Sequence, residues 1–434
     1  MSPAFKEHPL RHSVTAELHA RTFDPLPSPA RVFHLAAVCG ERRSGANAEH
    51  LLRLLDHFGV RRPEQVGQYY AVDLGGGLWL RWERHTEFVT YTFSRHERFN
   101  HPFTDPLINE LPQDWLREIP GQVVTATALA LESCEMPERG SNELLALFEG
   151  NPFIGSEVVG GSSRAWSDLR IHSDGYSRIL LRDCGLSENQ AGRLAKRILE
   201  VDAYRAMALL GLPAAREATR ALSEAERRLV ALAARMTEGN DHDRGASESE
   251  LLAELTTLAT EIETVAARTI YRFEASRAYY RIVQQRLEQL RQRRIEGLQT
   301  FTEFLEARLA PAIATCDSTR ERQQDLAKRA ARLASLLRAR VEVDLQHQNR
   351  GLLESMDRRA RIQLRLQETV EGLSVIAIGY YGVGLVGYAL KGLEAQGLLP
   401  IDATLGMGLS VPIVVGAAWL GLKRMKRRLL DGHH

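Results

Sequence analysis

Apolar and polar positions alternate with a period of two over several stretches of the first half of the chain, and with a helical period over most of the second half. The first pattern predicts half-buried strands and the second predicts helices. After a proline-rich opening (Pro25, Pro27, Pro29), Arg31–Val38 reads as a strand and Asn47–Phe58 as an amphipathic helix. Strands at Gln68–Asp73 and Leu78–Glu83 meet across the glycine run Gly75–Gly77, and the chain continues extended through Glu87–Phe93. A short helix near Leu107–Arg117 and a strand at Gln122–Glu132 complete a β-α-β-β-α-β order, which closes as a helix-backed, mainly antiparallel sheet. A similar order follows. Helix Ser141–Phe148 leads to strands near Phe153–Val159, Arg164–His172 and Tyr176–Arg182, with the Asp-Gly turn of "HSDGY", then to a helix from Glu188 to Leu210. "LWLRWERH" and "RAWSDLRIH" occupy matching places, the pattern that an internal duplication would leave.

From Pro213 the strands vanish. A helix at Ala214–Met236 runs into "TEGNDHDRGASES", which reads as an exposed loop, and Leu251–Leu309 then continues without proline. Its stripe (Leu255, Leu258, Ile262, Phe273, Val283, Leu290, Leu305) has three-and-four spacing, as antiparallel or coiled-coil helices require. Pro311 is expected to end this helix, and Ser318–Glu321 fits a capping box that starts the next. That next helix runs without a stop signal to Leu390, a length of roughly 110 Å at 1.5 Å per residue, with Gly351 as its one interior weak point. A helix of this length needs partners, either the preceding helices, other subunits, or both.

The pattern changes once more at the C-terminus. Leu373–Leu390 has eighteen residues and Ala403–Leu422 twenty, all without a formal charge. Each spans about 27–30 Å, one hydrocarbon core. Arg358, Arg359, Arg361 and Arg365 precede the first and Lys423, Arg424, Lys426, Arg427 and Arg428 follow the second, so both flanks are expected on the cytoplasmic side of an inner membrane. The fold class expected is therefore α+β: an α/β domain over 1–212, a long-helix stalk over 213–372, a two-helix transmembrane hairpin over 373–422 and a basic tail over 423–434.

Composition narrows the function. Fifty-six Lys and Arg against fifty-five Asp and Glu leave a net charge of +1, no global reason to expect nucleic acid. Cys39, Cys134, Cys184 and Cys316 lie far apart without a CxxC pair, which suits free thiols in a reducing compartment. The N-terminus lacks the apolar core of a signal peptide, and His8, His12 and His19 read as a polar arm. In "RWERHTEF", Glu83, His85 and Glu87 share one face if the segment is a strand, and a histidine with two carboxylates is a candidate metal set. Arg81 and Arg84 compete for the carboxylates, so a salt-bridged solvent face is expected instead. "GVGLVG" at Gly382–Gly387 matches a dinucleotide fingerprint only by letters, since no strand precedes it. No nucleophile, base and oxyanion set is legible, so no enzyme activity and no cofactor are expected. Along the first span Ser374, Ala377, Tyr381, Gly384 and Tyr388 fall on one helical face, a candidate for helix packing or for lining a pathway. Glu394 and Asp402 are the acids of the connecting loop.

The strings "HPLRHSVTAELHAR", "RWERHTEF", "DGYSRILL", "QAGRLAKRILEVDAYRAMALLGLP" and "QLRLQETVEGLSVIAIGYYGVGL" resemble a bacterial family of unknown function described as membrane-anchored, over essentially the whole chain. The architecture also resembles, more loosely, CorA-type magnesium transporters, which implies homo-oligomers with the first span lining an ion pathway. Their Gly-Met-Asn signature is absent; the corresponding place reads Tyr388-Ala-Leu-Lys391-Gly392. Together these features predict a membrane-anchored homo-oligomer whose cytosolic domain is a scaffold or binds a protein partner, with a CorA-like channel as the alternative. The partners expected are the lipid bilayer and further copies of the chain.

Overall fold

The computed structural model describes residues 7–12, 14–15, 23–40, 44–238, 244–394 and 402–430. Two compact units make up the chain: Met1–Asn240 with Glu250–Ala334, and Asp241–Ser249 with Ser335–His434. The helices that follow residue 212 therefore belong in part with the sheet.

Among the described residues, nine strands form one sheet in the first unit: β1 (Ala30–Val38), β2 (Tyr69–Asp73), β3 (Trp79–Arg84), β4 (Phe88–His96), β5 (Gln122–Glu132), β6 (Ile154–Val158), β7 (Ser163–Ser167), β8 (Ser177–Asp183) and β9 (Arg293–Arg294). Their order across the sheet is β2-β3-β4-β1-β5-β8-β7-β6-β9. Every pairing is antiparallel except β5 with β8. Each half reads first strand, helix, then three strands, with the fourth strand beside the first and β3 and β7 in matching places. The likeness stops there, because β1 meets β4 antiparallel while β5 meets β8 parallel.

Alternation along the central strands buries both faces. Phe33, Leu35 and Ala37 of β1, Ala128 and Ala130 of β5 and Leu180 of β8 join a core under α1 (Ser44–His57), α2 (Gln113–Arg117) and α3 (Ser141–Leu147). Val32 and Ala36, Leu129 and Leu131, and Ile179 and Leu181 face the other way. There they meet α4 (Glu188–Leu209), α6 (Arg244–Gln289) and the start of α7 (Phe301–Glu394). Ser187 and Gln190 cap α4 reciprocally, Gln190 N lying 3.4 Å from Ser187 Oγ and Ser187 N 2.9 Å from Gln190 Oε1. Helix α5 (Gly211–Glu238) follows almost directly. It runs parallel to α7, with Thr219 beside Thr319 and Glu226 beside Arg322 and Arg329, and antiparallel to α6, with Arg228 on Glu261 and Arg235 on Glu254. Gly211 permits this approach, since a Cβ there would collide with Ser276 and Cys316.

The helix boundary near residue 300 differs from expectation. Leu251–Leu309 is not one helix: α6 ends at Gln289, Arg291 turns left-handed at φ 48°, and Arg293–Arg294 adds to the sheet against Glu157 and Ser156. Helical bonds are exchanged for sheet-edge bonds, Val159 N donating to Leu290 O at 2.8 Å and Gly155 N to Gln299 O at 3.0 Å. The capping box lies at Thr300–Glu303, with Glu303 N on Thr300 Oγ1 at 3.1 Å and Thr300 N on Glu303 Oε2 at 3.0 Å. Ser318 sits inside α7 and donates back to Thr315 O. Pro311 ends nothing; it stands exposed within α7, where water can hydrate the carbonyl that its missing N–H leaves. The segment read as a loop at 237–249 contributes its last residues to α6, which begins at Arg244; residues 239–243 lie outside the described residues, as does His19.

The second unit takes α7 from Ser335 onward together with α8 (Ala403–Leu430), and both helices are long and apolar enough to cross a membrane.

Candidate binding cleft

Toward β5 and β8 the helix-facing side of the sheet is apolar, but toward β3 and β4 it turns polar. Arg81 and Glu83 of β3 lie two apart and so share this face, while Leu80 and Trp82 go to the opposite core. Beside them stand His34 of β1 and Thr92 of β4, joined at 2.8 Å. Helix α4 supplies the facing wall. Lys196, Glu200 and Tyr204 recur at four-residue steps, with Arg193 and Arg197 one position on. Arg286 and Gln289, at the end of α6, complete it.

The N-terminal segment closes one side. Leu26 N donates to Glu188 O at 3.1 Å, and Gly192 lets the chain cross α4, because a Cβ there would overlap the carbonyl of Asp24. Asp24 in turn receives Arg81 at 2.9 Å. What remains is a cavity of about 190 Å³ between Phe23, Tyr69, Glu83, Arg193, Arg197 and Arg286. A smaller one of about 60 Å³ adjoins it beside His34 and Arg81.

Charge in the larger cavity is unbalanced. Among the described residues that line it, five basic side chains (Arg84, Arg193, Lys196, Arg197, Arg286) meet two carboxylates, Glu83 and Glu200. Both carboxylates are already engaged: Glu83 by Lys196 at 2.9 Å and Arg81 at 3.3 Å, Glu200 by Arg286 and, at 3.9 Å, Lys196. Burial pushes the Glu83 carboxyl up, but Lys196 and Arg81 outweigh it and hold its pKa at about 2. Arg193 and Arg197 have neutral contacts. Arg193 lies 4.6 Å from the Phe23 ring, and Arg197 reaches the Gln289 carbonyl at 3.4 Å. Burial and the neighbouring Arg286 and Arg193 lower the Arg197 pKa, with Glu200 opposing.

"RWERHTEF" is therefore built into this region, though not as one strand. β3 ends at Arg84 and β4 begins at Phe88, so His85 and Glu87 lie in the hairpin turn. The carboxylates are ion-paired toward the helical layer and not toward solvent. Glu87, 3% exposed, pairs with Arg272 of α6. His85 stacks on Phe88 at 4.1 Å, with Tyr204 Oη 3.5 Å from its Nδ1. Among the described residues no three His, Cys, Asp or Glu side chains group as metal ligands.

The face proposed for the first span has a different setting. Glycines 379, 382 and 387 bring α7 against Val415, Val414 and Met407 of α8, each too close for a relaxed Cβ. Ser374, Ala377, Tyr381, Gly384 and Tyr388 lie off that seam. A Cβ on Gly384 meets nothing within 4 Å, Tyr381 and Tyr388 are exposed, and Ser374 donates to Val370 O at 2.8 Å. Asp402 caps α8 through Thr404 N at 3.0 Å. Glu394 is the last residue of α7, and residues 395–401 of the connection lie outside the described residues.

A family model described as a protein of unknown function, DUF3422, matches residues 6–429. The chain belongs to that family. No curated protein matches it, and nothing in the comparisons supports the likeness to CorA-type transporters. For this DUF3422 chain, the family match thus covers the cleft and the apolar helices alike and brings no residue roles with it. Sequence reasoning passed over the cleft although its signal was present: Arg193, Lys196 and Arg197 stand at i, i+3 and i+4 in "QAGRLAKRILE", one basic face on a helix.

Proposed function

We propose that the protein is a homo-oligomer anchored in the inner membrane by α7 and α8, whose sheet-bearing unit works in the cytoplasm as a binding module. The observation that carries this reading is the uncovered apolar stripe of α7. Leu345, Leu352, Met356, Leu366 and Val370 are each more than half exposed, at successive spacings of seven, four, ten and four residues, whole numbers of helical turns to within a residue. Burying five such side chains offers on the order of 10 kcal/mol before the cost of association. The open face of Gly384, Tyr381 and Tyr388 continues the same demand into the apolar part of α7. The arginines before the first span and the Lys and Arg after the second favour both ends on the cytoplasmic side.

Size measurement in mild detergent tests the assembly. An oligomer is expected, and Gly384→Leu is expected to loosen it while leaving the sheet intact; a wild-type monomer refutes the reading. Orientation is tested by a cysteine at Gln396, expected to react with an impermeant thiol reagent from the periplasmic side. Ion flux through liposomes carrying the purified protein would replace the anchoring role with a pathway.

A further inference from the structure

We propose that the cleft between β3, β4 and α4 binds a phosphate-bearing anion, a phosphomonoester or pyrophosphate group, held by Arg193 and Arg197. The inference stands apart from the membrane reading, because every group it uses lies in the sheet-bearing unit. Two observations carry it. The first is the pair Arg193 and Arg197 in a partly enclosed cavity of a protein with nearly equal acids and bases. Glu83 and Glu200 are taken by Lys196, Arg81 and Arg286, and among the described residues Arg193 and Arg197 have no ion-paired carboxylate. A phenyl ring and a backbone carbonyl orient these two guanidiniums without neutralising them. Half-buried like charges repel at reduced dielectric, and a dianion between them removes that cost. Guanidinium forks match phosphate oxygens two at a time.

The second observation is His34, 5% exposed, whose Nε2 has no hydrogen-bond partner and which lines the adjoining small cavity. Buried ring nitrogens are rarely left unbonded. The two cavities share Phe23, Glu83, Lys196 and Glu200, so a ligand with a polar group beyond its phosphate has an acceptor or donor waiting in the second. Phe23, Tyr69 and Tyr204 give the larger cavity flat apolar walls for the rest of such a molecule.

The full chain in detergent, titrated by calorimetry at constant ionic strength, tests this. Pyrophosphate and a short-chain phosphatidic acid are the two probes, so that a soluble phosphate and a lipid headgroup are told apart; saturable binding of either supports the site and names its source. Arg193→Gln with Arg197→Gln is expected to weaken binding tenfold or more with an unchanged circular dichroism spectrum. Arg197→Lys is expected to fall between, and Arg227→Gln, an exposed helix arginine paired to Glu224, to bind as wild type. Should the double variant fail to fold, Arg193→Gln alone is expected to lose several-fold. Absence of binding by both probes, wild-type affinity in the Arg193 and Arg197 variants, or equal affinity for succinate overturns the proposal.

Discussion

Acidification gives the sharpest test of the sheet-bearing unit, because two histidines are buried in it as neutral rings. His50 of α1 is stacked 4.3 Å from Trp115, with Nε2 on the Trp115 carbonyl at 2.9 Å and Nδ1 on the Tyr91 hydroxyl at 2.9 Å. A carbonyl only accepts, so Nε2 carries the proton and Nδ1 accepts from Tyr91. His34 lies between β1 and α4, facing Asp202, Glu83 and Lys196, with Thr92 on its Nδ1. Burial lowers each pKa from 6.5 to about 4, against the pull of Asp202 on His34 and of the Trp115 carbonyl on His50. A folded-state pKa below the unfolded one means that unfolding takes up protons between the two values. Stability is therefore full above pH 6.5 and is lost as pH falls toward 4. Between pH 7 and 5 each histidine removes about 2 kcal/mol. At ~2.1 cal/mol/K per residue over roughly 300 residues, that is about 3 °C in the melting midpoint for each. The assay is thermal unfolding of the intact protein in detergent at pH 7 and pH 5, for wild type, His34→Gln, His50→Gln and the double variant. The wild type is expected to lose about 6 °C, each single variant about half of that and the double variant little. Wild-type pH dependence in the double variant refutes the reasoning, whatever the variants do to stability at pH 7.

Three further outcomes are expected. Gly192→Val should displace the Phe23–Leu26 segment from α4, costing about 1–3 kcal/mol and opening a protease-sensitive site near Phe23, which limited proteolysis reads. Thr300→Ala should remove half of the capping box of α7 and cost about 1 kcal/mol by chemical denaturation. Glu87→Gln should leave Arg272 without its buried carboxylate and cost about 3 kcal/mol, and Glu87→Gln with Arg272→Met should lose less than the single variant; a double-mutant cycle measures the difference.

The apolar pattern is enough to find β1 to β8, with β7 ending at Ser167 and not at His172, and eighteen or twenty uncharged residues are enough to mark each apolar helix. The break after α6 was hidden because Leu287, Leu290, Phe301 and Leu305 keep helical spacing across it while all face the same core. What stops the helix is hydrogen bonding to β6, a partner far away in the chain, and no local pattern records it. The same distance effect hid the cleft. Glu83 and Lys196 are 113 residues apart, and each alone reads as a solvated charge. In the apolar hairpin, spacing places Ser374, Ala377, Tyr381, Gly384 and Tyr388 on one helical face. Which glycines meet α8 depends on the crossing of the two helices, and small residues lie on more than one face of the first span, so sequence spacing does not choose between them.

The two arginines of β9 have a consequence for biosynthesis. Strand β6 is an edge until they arrive, and Ser156 and Gln292, which bond beside them, are 136 residues apart. At 5–20 residues per second a ribosome needs on the order of ten seconds to cover that distance. Through that interval the growing chain carries an unpaired row of backbone donors and acceptors, the template on which neighbouring nascent chains aggregate. The edge is sealed before the apolar part of α7 is made, so the sheet has its last strand by the time the chain first displays a segment apolar enough for a membrane.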